Sequence, residues 1–395
     1  MKILFYSQEF YPYEVPATKR VYGLAQHLIK LGHEVDVVCG FYGWKNFFKF
    51  FAKKVYQGIN VYYYYAFPLY KKINLLRVLH HFSFLFSSQL HNFRFRRKYD
   101  VVITTTPPAL VSFGGLWIAK FKRAKLIYDV RDIWPDVALE MNNMTKGSIM
   151  YKVFNYIANK MYQKADLVTA VSRLKVEKLQ AKGIPKVRLI SNGFDLEFKN
   201  QEIDHEIIDK YQLDQTFTII YTGNIGLAQG LDSLIALAEI VKKNELIQFL
   251  LIGEGVEKTR LERLAADKGL TNVKFLGKLP GAAIYTFLKS AKLSYVALKN
   301  SNLQDSVPTK LFEALGVGCP VLLVASGEAC RILDEATLGE HVKPEDFEAL
   351  VATFYKIYNN YEVYQSRSSH SENYIEKHFS RKMIAKTLEK ELIKL

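Results

Sequence analysis

Residues 221 to 240 read YTGNIGLAQGLDSLIALAEI. The stretch leaves a β-branched and aromatic run, FTIIY, turns through Gly223, Gly226 and Gly230, and then takes up a helical apolar period. A buried strand that turns through glycine into a helix is the repeating unit of a parallel α/β sheet. Glycine lets backbone N–H groups come close to a phosphate, and the helix that follows offers its positive end. The spacing is not the dinucleotide fingerprint G-x-G-x-x-G, and a plain β–α turn has the same look. The theme returns at LLIGEGVEKTRLERLA, through Gly253 and Gly255.

Outward from this stretch, strand-like and helix-like segments alternate. KILFYS, HEVDVVCG, GINVYYYY, YDVVITTT, KLIYDVRD, DLVTAVS and VRLISNG precede it; IQFLLIGEG, NVKFLGKL, KLSYVAL and CPVLLVAS follow. Near-continuously apolar strands between helices predict parallel sheets covered on both faces, a doubly wound α/β architecture. The 395 residues suffice for two ordinary domains. Residues 191–209, SNGFDLEFKNQEIDHEIID, give an Asn192–Gly193 turn signal and then a polar, acidic stretch. The expected domains are therefore 1–195 and 205–375. In open α/β sheets ligands bind beyond the carboxyl ends of the strands, so the expected site is a cleft between the two domains.

A third segment, NLQDSVPTKLFEALGVGCPV at 302–321, belongs with the glycine turns. Pro308 suits a helix's first position. Lys310 then sits in the first turn, an unfavourable place for a cation unless an anion binds there. Glu313 shares its helix face, and Asp305 lies in the loop feeding the helix. A capped surface helix with an internal ion pair would read the same way. Taken together, the three strand-end elements point to a diphosphate.

In the first half, IYDVRDIWPDVALE ends a strand with Asp129, Arg131 and Asp132, charges that need partners or a ligand. A structural ion pair is the plain alternative. The loop QEFYPYEVPATKR, with Glu14, Lys19 and Arg20, and the strand end TTTPPAL are further acceptor-side candidates.

The net charge is +15 and unevenly spread: no acidic residue occurs between Asp36 and Asp100. Trp44, Phe47, Phe48 and Phe51 recur at helical spacing beside Lys45, Lys49 and Lys53. This pattern predicts a basic amphipathic helix, and HFSFLFSSQLHNFRFRRK adds a second aromatic, basic run. The segment 41–99 is thus expected to meet an anionic membrane surface; a solvated basic face over an aromatic core is the alternative. No nucleic-acid module is recognisable. No P-loop, G-x-S-x-G elbow or metal-ligand spacing appears, so ATP hydrolysis, serine hydrolysis and a bound metal are not expected. Cys39, Cys319 and Cys330 form no cluster, which fits a reducing compartment. No secretory signal is expected from the opening MKILFYSQEFYP, and no apolar run reaches the roughly 18 residues of a spanning helix.

The order KILFYSQEFYP…LAQHLIKLGHEVDVV, DVRDIWPD, SNGFD, YTGNIGLAQGL, LIGEG, VKFLGKLP and VPTKLFEALGVGCPVLL resembles the retaining glycosyltransferases of family 4, with the GT-B fold, over nearly the whole chain. YTGNIGLAQGL and DVRDIWPD are most similar to the branch containing N-acetyl-L-fucosamine transferases of O-antigen and capsule assembly. The resemblance implies an acceptor-binding first domain and a nucleotide-sugar-binding second one, with the last helix, 376–395, packed back on the first. It implies that Lys310 neutralises the donor diphosphate, Glu313 holds the ribose hydroxyls and Asp305 faces the donor sugar. Gly223, Asn224, Gln229 and Gly253 would line the donor, and Asp132 and Arg131 the reaction centre. Asn224 and Gln229 stand where the family often has a basic pair, and Asp305 where it often has glutamate. The function implied is transfer of an N-acetylated hexosamine from a UDP-sugar to a polyprenyl-diphosphate-linked glycan, without cofactor or metal. The enzyme would lie in the cytoplasm, peripheral on the inner membrane face. A UDP-sugar 2-epimerase and a non-catalytic membrane-bound assembly partner with a vestigial nucleotide site are the alternatives.

Overall fold

The computed structural model describes residues 1–395 except 13–15, 44, 45, 47, 69–73 and 143, and except the side chains of residues 16, 17, 74 and 75. The chain divides into unit 1, Met1–Asn192 with Arg381–Leu395, and unit 2, Gly193–Ser380.

Unit 1 runs β1 (Lys2–Tyr6), α1 (Pro16–Lys30), β2 (Glu34–Gly40), β3 (Phe51–Tyr56), β4 (Ile59–Tyr64), α2 (Asn74–Ser87), α3 (Leu90–Arg94), β5 (Val101–Thr106), α4 (Ser112–Lys122), β6 (Lys125–Val130), α5 (Asp136–Glu140), α6 (Ile149–Lys164), β7 (Leu167–Ala170), α7 (Arg173–Ala181) and β8 (Val187–Leu189). Its strand order is β3-β4-β2-β1-β5-β6-β7-β8. All pairs are parallel except β3 with β4. Alternate residues of each strand point to opposite faces. Ile3 and Phe5 therefore enter one core with Val21, Leu24 and Leu28 of α1, while Leu4 and Tyr6 enter another with Phe84, Leu116 and Met161 of α2, α4 and α6. The chain's last helix, Arg381–Ile393, completes the first of these cores with Ile384, Leu388 and Leu392.

Unit 2 runs α8 (His205–Tyr211), β9 (Phe217–Thr222), α9 (Asp232–Ile240), β10 (Ile247–Ile252), α10 (Lys258–Asp267), β11 (Val273–Gly277), α11 (Gly281–Ser290), β12 (Leu293–Ala297), α12 (Thr309–Gly316), β13 (Val321–Val324), α13 (Glu328–Ala336), β14 (Gly339–Val342), α14 (Phe347–Asn359), α15 (Tyr361–Gln365) and α16 (Ser368–Phe379); the last helix of the chain is α17. The strand order is β11-β10-β9-β12-β13-β14, all parallel. Both units are doubly wound. The order reverses between β1 and β5 in unit 1 and between β9 and β12 in unit 2, the places where open α/β sheets bind ligands.

One expectation is corrected. The basic amphipathic helix through Phe48, Lys49, Phe51 and Lys53 does not form: Phe51–Tyr56 is the edge strand β3, paired antiparallel with β4. Trp44, Lys45 and Phe47 lie outside the described residues. Gln57 and Gly58 close the hairpin, both at positive φ (46° and 83°), as a two-residue turn of matching twist demands. The signal was present: FAKKVY and INVYYY are aromatic and β-branched runs separated by the two residues Gln57 and Gly58. Lys53 and Lys54 on that edge suit a strand that must not recruit another.

Candidate donor and acceptor sites

Three loops of unit 2 meet at the carboxyl ends of its central strands. β9 ends in Gly223, at φ 115°, and β10 in Gly253, at φ 151°. A Cβ on Gly253 would run into the Gly223 carbonyl, and one on Gly255 into that of Ile225. Glycine is required here so that two backbones can touch. The Gly223 N–H donates to Ile252 O (2.8 Å), that of Ile225 to Glu254 O (2.9 Å), and that of Gly253 to Gly277 O (2.8 Å). Amides expected to face a phosphate are therefore spent on building the floor of the site. Gln229 serves the same end: its Oε1 accepts from the Gly226 N–H at 3.2 Å. The Asn224 side chain lies against Gly226 as well, and the Tyr221 hydroxyl donates to the Asn224 carbonyl (2.5 Å).

Lys310 stands out against this floor. Pro308 is the N-cap of α12 rather than its first residue, so Lys310 is the second helical position. Its ammonium sits 3.7 Å from the centre of the Tyr221 ring, in cation–π contact. A Cβ on Gly223 would lie 3.5 Å from Lys310 Nζ. Nζ is buried and has no hydrogen-bond partner among the described residues. Burial pushes its pKa down to about 7, against a smaller upward pull from Glu313. An unpartnered buried ammonium is costly, and an anion at this spot removes the cost.

α12 is held firmly. Ser371 and Ser368 of α16 donate to Leu315 O (3.0 Å) and Gly318 O (2.8 Å), Phe312 packs on Phe379, and Gly316 lies against Phe194. Asp305 is buried in the preceding loop, which the Glu328 N–H pins through Gln304 O at 2.8 Å. Lys310, Glu313, Gly223 and Gly253 are thus brought together on one side of unit 2.

In unit 1, β6 carries the charges Asp129, Arg131 and Asp132 to its end. Arg20 grips Asp129 with two bonds, Nη2 to Oδ1 at 2.7 Å and Nε to Oδ2 at 3.0 Å. It also donates to Ile190 O and Ser191 O. Thr169 and Thr105 donate to the same carboxylate. Its partners hold Asp129 below the usual carboxylate range although burial, the largest single influence, pushes it up. Arg20 is therefore buried and fully engaged, tying α1 to the ends of β6 and β8. Arg131 donates to Pro107 O (2.7 Å) and Thr106 O (3.3 Å), fastening the loop after β5. Asp132 is more open, with buried Lys175 Nζ at 4.0 Å from its Oδ1. Lys175 carried no signal in the sequence, since RLKVEKL reads as an ordinary helical lysine. Lys19 is exposed, and Glu14 lies outside the described residues.

Two family models match the chain: Glycosyltransferase Family 4 over residues 17–198 and Glycosyl transferases group 1 over 204–376. Together they span both units. The chain is a glycosyltransferase of this family 4, group 1 type. The glycosyltransferase is 28% identical over 376 residues to the putative colanic acid biosynthesis glycosyl transferase WcaI of Escherichia coli, covering 89% of this chain and 91% of that one. It is 26% identical to the probable glycosyltransferase WbjE of Pseudomonas aeruginosa, over 68% of each chain. Its fold matches Anabaena Alr3699/HepE, solved in complex with UDP, with a TM-score of 0.75, 18% identity and full coverage of both chains. The GT-B architecture expected from the sequence is thereby shown. The narrower placing in an N-acetyl-L-fucosamine transferase branch has no support among these relatives.

Proposed function

We propose that this glycosyltransferase moves a sugar, an N-acetylated hexosamine, from a UDP-sugar to a polyprenyl-diphosphate-linked glycan during surface polysaccharide assembly. The observation that carries the reading is the buried, unpartnered ammonium of Lys310 at the glycine floor of unit 2. The name of the E. coli relative supports a polysaccharide product, and the structural neighbour holding UDP supports the nucleotide.

The chemistry follows from charge. Breaking a glycosyl–phosphate bond develops negative charge on the leaving diphosphate and positive charge on the sugar ring. Lys310 and the amino end of α12 counter the first. Glu313, on the same helix face, accepts from the ribose hydroxyls. Asp305 faces the donor sugar. Asp132 in unit 1 positions the acceptor hydroxyl, whose proton passes to the departing phosphate oxygen as the new bond forms on the same face. No side chain is assigned as nucleophile. Arg131 shapes the acceptor loop through Thr106 and Pro107.

UDP binding by calorimetry tests the reading. Wild type is expected to bind, and Lys310→Ala and Glu313→Ala each to lose about 1–3 kcal/mol, the range for a charge-assisted hydrogen bond. Absence of UDP binding by wild type would sink the proposal.

A further inference from the structure

The helices on one side of the unit 1 sheet, α2, α3, α4 and α6, form a single layer. α2, α4 and α6 share one core, through Phe84, Leu116, Ala158 and Met161, and α4 packs against each of the other three. None of the four contains an aspartate or glutamate. Their outer surface is nevertheless rich in large apolar side chains. Phe86 is 60% exposed and lies beside Trp117 with the rings tilted, centroids 6.2 Å apart. Phe93 is 74% exposed and meets Phe121 edge-on at 5.2 Å. On α6, Ile149, Met150, Val153 and Tyr156 are all exposed. Arg94, Lys120, Arg123, Lys152 and Lys164 are exposed among them. Carboxylates at the margin are neutralised: Asp136 by Lys182, Glu140 by Lys178 and Asp166 by Lys125.

The opposite side of the sheet offers a contrast. α1 also lacks carboxylates, but its apolar face is covered by α17. Among the described residues no element covers the outer surface of α2, α3, α4 and α6. Exposed aromatics interspersed with cations, over four helices from three stretches of sequence, are an extended patch rather than scattered single residues.

We infer that this helical layer lies flat on an anionic lipid surface, apolar rings in the headgroup boundary and cations on the lipid phosphates. The inference rests on the lipid-linked acceptor reading and names the face that meets the membrane. Charge selects the occupant. A second copy of the same carboxylate-free face brings cation against cation, which like-charge repulsion disfavours. An anionic bilayer answers both the rings and the charges. The face extends beyond the 41–99 segment to α4 and α6, and its contact helices are these four, since Phe51–Tyr56 is the strand β3.

The test is co-sedimentation of the full-length protein with phosphatidylcholine vesicles, with and without phosphatidylglycerol, beside UDP calorimetry. Wild type is expected to bind the anionic vesicles and to lose them in high salt. Phe86→Ser with Phe93→Ser, and Lys152→Glu with Lys164→Glu, are each expected to weaken binding roughly tenfold or more. Lys382→Glu with Lys386→Glu, exposed on α17, is expected to change it little. The altered side chains are on the surface, so UDP binding is expected to persist in every variant. Failure of wild type to bind anionic vesicles, or vesicle binding unchanged in either of the first two variants, overturns the inference. So does a lipid-free dimer that the phenylalanine pair abolishes. Loss of UDP binding by wild type would instead strike the transferase reading, and the vesicle result would still judge the face.

Discussion

Lys310 is the residue whose physics is most specific. The ammonium is disfavoured in the free folded protein and titrates near 7, while in the unfolded chain it keeps the ordinary 10.5. Between those values the unfolded state binds the extra proton, so stability rises with pH by about 1.4 kcal/mol per unit from this group. Lys310→Met is therefore expected to be more stable than wild type below pH 7, with the advantage shrinking as pH climbs toward 10.5. Diphosphate binding acts the opposite way on the proton. At about pH 8 the free lysine is mostly neutral, so UDP binding should take up a proton, seen as a buffer-dependent heat in calorimetry. The same heat with Lys310→Met would refute the assignment. Arg20 was legible as a charge near a helix start, but not as a structural clamp, because its partners lie more than a hundred positions away in sequence. Arg20→Ala is expected to cost about 3–5 kcal/mol in denaturant unfolding, since it strands the buried Asp129 carboxylate. A midpoint shift worth under about 1 kcal/mol would mean that Asp129 finds water or another partner.

At the scale of elements, the parallel strands were legible because burial on both faces writes continuous apolar runs. β3 was not, because its aromatics and lysines fit a helical period as well as an edge strand. The Gln57–Gly58 turn resolves the ambiguity, since only a hairpin requires positive φ at both positions. The glycine turns show a different limit. Their spacing revealed where strands become helices, but not that their N–H groups are consumed in joining one loop to the next. This gives a contrast between two glycines of unit 2. Gly269 has φ 62° and open space around its missing Cβ, whereas Gly253 would drive a Cβ into the Gly223 carbonyl. Gly269→Ala is expected to cost about 1 kcal/mol from backbone strain alone. Gly253→Ala should cost about 3 kcal/mol or more, strain and backbone overlap together. It should also weaken UDP binding, because Gly223 cannot yield without disturbing Lys310. Equal unfolding midpoints for the two variants would show that loop contact is not what the second glycine serves.

For the whole molecule, the decisive pairing is one that no local pattern announces. Residues 381–393 read as an amphipathic helix, but periodicity does not say which core receives the apolar stripe. The structure gives it to unit 1: Ile384, Leu388 and Leu392 are buried there, His33 Nε2 reaches Glu389 at 2.9 Å, and Arg188 reaches Glu391 at 3.3 Å. The first unit is therefore closed by the last residues of the chain, so its stability depends on both ends. All three tryptophans, Trp44, Trp117 and Trp134, precede Asn192. Their fluorescence reports unit 1 alone, while far-ultraviolet dichroism reports both units. Leu388→Ala removes buried apolar volume, at a cost of about 2–5 kcal/mol. Its tryptophan-detected unfolding is expected at lower denaturant than in wild type, while the later part of the dichroism transition, due to unit 2, stays in place. UDP binding below that first transition should be unchanged, since Lys310 and its floor belong to the other unit. If fluorescence and dichroism shift together by the same amount, the two units unfold as one and the last helix stabilises the whole chain rather than its first half.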